Sequence, residues 1–151
     1  MDKWQPGSHA GTFRGNQLAM RAGTVVMNRV SKPEFLAEVR RKGDYLRNRL
    51  EELKKKVSII GDIRGKGLMA GCEFVDPKGT TDSLGSLPAS GEIAALVQKM
   101  CFRNKLVMEK GGRHGSVMRC LCALNVTDAE IEEMLAIFEK VVLEVNANAI
   151  G

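Results

Sequence analysis

Two stretches of this chain read as paired strands, and helical patterns lie before, between and after them. Ile59-Ile60-Gly61-Asp62-Ile63 and the run from Leu68 to Val75 are strand-like, and Arg64-Gly65-Lys66-Gly67 joins them with a turn composition. Further on, Leu106-Val107-Met108-Glu109 and the run from Val117 to Leu124 are strand-like, with Gly111-Gly112-Arg113-His114-Gly115 as the loop between. Hairpin-like pairs set among helices predict a small antiparallel or mixed sheet with helices packed on one face, an α+β arrangement.

The helices carry their own start signals. Asn16 is placed to cap a first helix traced by Leu18, Ala19, Ala22, Val25, Val26 and Arg29. Ser31, Pro33 and Glu34 read as cap, first-turn proline and capping-box partner of a second helix. Its apolar face is Leu36, Val39, Leu46, Leu50, Leu53 and Val57, broken near Gly43, with a charged opposite face. Asp76-Pro77-Lys78-Gly79 fits a type I turn, and a polar loop follows over 80–89. Ser90 caps a helix whose face is Ile93, Leu96, Val97, Met100 and Cys101. Thr127 and Glu130 form a capping box, Val126 and Ile131 a hydrophobic staple. The stripe behind them is Ile131, Met134, Leu135, Phe138, Val141, Val142 and Val145. Residues 1–16 read as an extended loop, and residues 1–30 do not fit the core of 31–151; they are expected to belong against something else.

Composition narrows the function classes. A chain of 151 residues can bury a working core. Its net charge of +5 and the run Lys54-Lys55-Lys56 invite a nucleic-acid reading. That run ends a helix, where cations suit the dipole, and aromatic residues for base stacking are scarce, so nucleic acid is not expected. No apolar run approaches the ~20 residues of a membrane helix, so no membrane is expected. The N-terminal residues lack a secretory h-region. Cys72, Cys101, Cys120 and Cys122 sit in apolar stretches without CxxC spacing, which predicts reduced core thiols in a cytoplasmic protein, with no metal site.

Three features are candidate sites. The stretch from Gly7 to Asn16 sets glycines and hydroxyls ahead of a helix, a composition that suits a phosphate but equally suits a plain surface loop. Arg119 is the one charge in an otherwise apolar strand. A guanidinium there needs a partner: a structural carboxylate, such as Glu73 or Glu109, a ligand carboxylate held bidentately, or solvent at an edge. His114, beside Arg113, is either an acid–base group or an ordinary loop residue. Cys120 and Cys122 share a strand face and read as core thiols. No Ser-His-Asp spacing, Walker loop or paired-carboxylate signature is present.

The run from Pro6 to Met20, with His9-Ala10-Gly11-Thr12-Phe13-Arg14-Gly15-Asn16 at its centre, closely resembles class III aminotransferases, where such a motif opens a helix after the cofactor lysine. Arg64-Gly65-Lys66-Gly67-Leu68-Met69, followed by Gly71 and Glu73, resembles that family's small-domain hairpin, and Arg119 with Leu124 and the capped last helix resembles its closing segment. Trp4-Gln5-Pro6-Gly7 and Gly111-Gly112-Arg113-His114-Gly115 look most like the diaminobutyrate–2-oxoglutarate branch; enzymes for 4-aminobutyrate, ornithine or acetylornithine are the nearest rivals.

The resemblance implies the C-terminal small domain of a fold type I aminotransferase, with residues 1–30 on the large-domain and dimer side. It implies pyridoxal 5'-phosphate as cofactor, amino-acid and 2-oxo-acid substrates, and a homodimer. It carries cofactor-phosphate binding onto Thr12 and substrate-carboxylate binding onto Arg119. The family's Schiff-base lysine has no counterpart in these residues, so this chain alone is expected to be inactive. A non-catalytic interaction domain is the reading from another class. Two departures stand out: Cys122 and Ala123 occupy the family's usual Pro-Pro, and Arg21 stands where a small residue is common.

Overall fold

The structure is a computed structural model and describes residues 3–8 and 10–150. In chain order the elements are α1 (Gln17–Val30), α2 (Pro33–Lys54), β1 (Ile60–Lys66), β2 (Met69–Phe74), α3 (Gly91–Arg103), β3 (Glu109–Gly111), β4 (Val117–Leu121) and α4 (Asp128–Ile150), with a 3-10 turn over Arg113–Gly115. The chain divides into two compact units, Met1–Ala37 and Glu38–Gly151.

In the first unit, Asn16 caps α1 as expected: its side chain accepts from the Ala19 N–H at 3.0 Å. No residue of α1 is buried, and Leu18, Met20, Val25, Val26 and Met27 are exposed. Ser31 closes α1 instead of opening α2. Its N–H donates to the Met27 carbonyl, and its φ of −78° and ψ of −9° remain helical, which an N-cap's backbone does not. The Leu36 N–H bonds the Lys32 carbonyl, so Lys32 holds the cap position before Pro33, whose missing N–H costs nothing there.

The second unit is a four-stranded sheet in the order β1-β2-β4-β3, antiparallel throughout. The first hairpin is tighter than its sequence suggested. β1 runs on through Arg64 and Gly65 until Lys66 pairs with Met69, leaving Gly67 and Leu68 as the turn, with Gly67 at φ +56°. A register shift between Ile60 and Asp62 lets both Ile60 and Ile63 be buried. β3 starts three residues later than expected, at Glu109 in place of Leu106. The cause is the end of α3: the Leu106 N–H returns to the Cys101 carbonyl and the Lys105 N–H to that of Phe102, a Schellman closure with Lys105 left-handed at φ 67°. β4 stops at Leu121, short of the expected Leu124, because Leu121 pairs with Met69, the first residue of β2, and beyond it lies only the turn.

Alternate residues of the strands, Ala70, Cys72, Phe74, Met118 and Cys120, point into a core closed by α2, α3 and α4. α2 contributes Leu46, Leu50 and Leu53; α3, Val97 and Cys101; α4, Ile131, Leu135, Phe138, Val141, Val142 and Val145. Phe138 meets Phe74 edge-on, centroids 6.5 Å apart. The break at Gly43 in the apolar face of α2 is a contact: a side chain there would overlap the Gly67 backbone, so the glycine lets the β1–β2 turn rest on the helix. The predicted caps of the last two helices are in place. Ser90 Oγ accepts from the Ile93 N–H at 3.2 Å, and Glu130 and Thr127 form the reciprocal capping box. Arg49 ties α2 to α4 through Glu132 and Glu139 at 2.9 and 2.8 Å. Among the described residues, no helix is long and apolar enough to cross a membrane.

Candidate functional site

Strand alternation divides β4 between two surfaces. Met118 and Cys120 enter the core, so Arg119 must emerge on the sheet's other face, away from α2, α3 and α4. Register then fixes its neighbours: Arg119 lies opposite Gly71 on β2 and Glu109 on β3. Gly71 in turn lies opposite Arg64 on β1. Two guanidinium-bearing residues therefore flank a glycine in one row across the sheet, their backbones two strand spacings or roughly 10 Å apart.

The two arginines are held differently. Arg64 carries two carboxylates: it reaches Asp62 and Glu73, each at 2.5 Å, and both hydrogen bonds push its pKa further up. Glu73, one of the structural partners considered for Arg119, is thereby committed elsewhere. Arg119 has one carboxylate among the described residues, Glu109, with Nη2 and Oε1 2.5 Å apart. Its Nε is sealed from solvent and bonded to no protein atom. The side chain as a whole is 41% exposed, so the guanidinium remains reachable. A buried donor left unbonded is costly and uncommon. The arrangement is a partly exposed guanidinium with one carboxylate partner and a buried, unbonded Nε, on the sheet face turned away from α2, α3 and α4.

The other sequence candidates lie elsewhere. His114 is exposed, in the left-handed region at φ 57°, and lines a groove with Asp76, Ser90, Glu92 and Lys110. Its backbone carbonyl is packed on Gly91, where any side chain would overlap it. Cys122 falls beyond the end of β4, so it does not share a strand face with Cys120; its Sγ stands 3.8 Å from the Met134 Sδ. No cluster of metal-ligating residues is present among the described residues. Arg64 and Gly71 belong to the hairpin motif but carry no site role in the sequence, because Arg64 reads there as part of a turn. The two-residue spacing of Asp62 and Arg64 was the available sign that the strand continues. Arg64 also lines a groove of about 590 Å³ with Asp62, Glu73, Val75 and Ser86.

Comparison with known proteins gives this face a context. The family aminotransferase class-III matches residues 1–142. The chain belongs to the class III aminotransferases. Curated relatives include a diaminobutyrate–2-oxoglutarate aminotransferase of Haemophilus influenzae, 46% identical over 95% of the chain and 32% of the relative. One of the same name from Rhizobium meliloti is 45% identical over 89% of the chain and 28% of the relative. An acetylornithine aminotransferase of Caldanaerobacter subterraneus is 39% identical over 94% of the chain and 32% of the relative. Among solved structures, an acetylornithine aminotransferase from Elizabethkingia anophelis matches with a TM-score of 0.71 at 27% identity, over 95% of this chain and 34% of that one. This class III chain thus spans about a third of the length of the relatives it matches.

Thr12, the other residue carried over from the family motif, lies in the first unit. It is exposed in a turn where the Arg14 N–H reaches the Gly11 carbonyl at 3.1 Å and Gly15 adopts φ +77°. Its motif partner His9 lies outside the described residues. An exposed hydroxyl, flanking glycines and the start of a capped helix together make a donor set that fits a phosphate group.

Proposed function

We propose that the protein carrying this chain is a pyridoxal-phosphate-dependent aminotransferase that moves the terminal amine of L-2,4-diaminobutyrate to 2-oxoglutarate, giving aspartate semialdehyde and glutamate. The observation that carries this reading is Arg119: a partly exposed guanidinium with one carboxylate partner and an unbonded Nε among the described residues, on the sheet face turned away from α2, α3 and α4. The relatives named as diaminobutyrate–2-oxoglutarate aminotransferases, at 46% and 45% identity, support the donor and acceptor.

On this reading, Arg119 holds a substrate α-carboxylate. A planar fork meets a carboxylate at two points, so it orients the substrate as well as supplying charge. Glu109 keeps the guanidinium in place and charge-balanced until a substrate carboxylate replaces it. Thr12 donates to the cofactor phosphate beside the N-terminus of α1. When bound, the cofactor supplies an electron sink, and the protein supplies position and charge. Residues 1–30 belong on the large-domain and dimer side of a cytoplasmic homodimer, which accounts for the exposed apolar residues of α1.

The test is a donor comparison in the holoenzyme with 2-oxoglutarate as acceptor. L-2,4-diaminobutyrate should give a higher kcat/KM than 4-aminobutyrate, ornithine or acetylornithine, with glutamate formed in equal amount. A higher value for acetylornithine would move the assignment to that branch.

A further inference from the structure

The guanidinium of Arg119 rests over a residue that has no side chain. In the antiparallel pairing of β3 with β4, Arg119 faces Glu109 directly, and Gly111 is the diagonal neighbour on the same face. A Cβ built on Gly111 would stand 2.8 Å from Arg119 Nη2, 3.2 Å from Cζ and 3.3 Å from Nε. These are its three nearest neighbours, and all belong to one guanidinium. Gly111 does not need to be glycine for its own backbone, which lies outside the left-handed region that favours glycine. The atoms that come nearest to the missing side chain are those of the Arg119 head group.

We infer that Gly111 is a positioning residue: by leaving the space a Cβ would fill, it sets the height and tilt at which Arg119 presents its fork to a carboxylate-bearing substrate. This rests on the reading of Arg119 as the carboxylate-holding group. A methyl group at position 111 would lift the guanidinium away from the sheet and from Glu109. The far end of a long side chain can move, so the strand pairing and the core beneath would stay as they are. The consequence is a misaimed fork in an otherwise intact protein. Recognition at two points tolerates misplacement poorly, because both hydrogen bonds depend on a common plane.

The experiment compares Gly111→Ala, Arg119→Ala and the double variant in the holoenzyme, with 2-oxoglutarate varied and melting temperature recorded for each. Gly111→Ala should raise the KM for 2-oxoglutarate by about 10- to 100-fold, the scale of a misplacement near 1 Å, with an unchanged melting temperature. On the Arg119→Ala background the same substitution should add nothing further. If Arg119→Ala raises KM and Gly111→Ala does not, the glycine has no positioning role and the Arg119 reading stands. If Arg119→Ala leaves KM unchanged, both fall. A further rise in the double variant would show that Gly111 acts other than through Arg119. Loss of folding in Gly111→Ala would show that the backbone, and not the guanidinium, occupies the space. Either result overturns the inference.

Discussion

At the scale of single residues, surroundings decide what each chemically capable side chain does. The cysteines show this. Burial pushes the Cys101 thiol up to about 11 and the Cys120 thiol up to about 12, and holds Cys72 well above its ordinary value. The thiolate is the nucleophile, so these three are inert at neutral pH. Cys122, outside β4 and only partly buried, is also raised by desolvation but can be reached by reagent. An aromatic disulfide reagent at pH 8 should therefore label Cys122 first, with the other three reacting only on unfolding. Early labelling of Cys72, mapped by mass spectrometry, would contradict the packing of the sheet against the helices. Gly43 makes the complementary point. In the sequence it appears as a gap in an apolar stripe; in the fold it is the spot where a backbone turn touches a helix. Nothing local marks such a contact, because it is made by residues 24 positions apart, Gly43 and Gly67.

At the scale of elements, the parts read correctly from the sequence were those with a chemical signature inside a few residues. Asn16, Ser90 and Thr127 each cap the helix they precede, with Glu130 reaching back from the first turn of α4, because a side-chain oxygen within reach of free N–H groups is a local matter. The errors fell where two elements compete for the same residues. Ser31 lies between helices separated by two residues, and α1 claims it first. The start of β3 was set back by the closure of α3, which takes Lys105 and Leu106, while the place of the hairpin turn depended on register, which is set across strands and not along them. The α3 closure yields a test of this account. Lys105 occupies the left-handed C′ position that glycine fills without steric cost. Lys105→Gly should therefore raise stability by about 0.5–1 kcal/mol in chemical denaturation, with the m-value unchanged. A loss of stability of that size would mean that the closure is not formed in solution.

At the scale of the whole molecule, a small sheet with helices on one face was legible from the strand pairs, though they left antiparallel and mixed pairing open, whereas the row of Arg64, Gly71, Arg119 and Glu109 was not. Arg119 drew notice as a lone charge in an apolar strand, but its neighbours come from three other strands, and only the sheet order brings them together. The sheet face turned away from α2, α3 and α4 makes sense if a carboxylate-bearing substrate approaches there. The measurement that tests this most directly is Arg119→Lys in the holoenzyme, with KM and melting temperature taken on the same preparation. Lysine keeps the charge but offers one point of contact in place of a fork. KM should rise in both half-reactions, with a loss in kcat/KM on the order of 2–4 kcal/mol, while cofactor retention and melting temperature hold. A lowered melting temperature with KM unchanged would make the pair with Glu109 a structural ion pair and end the substrate assignment.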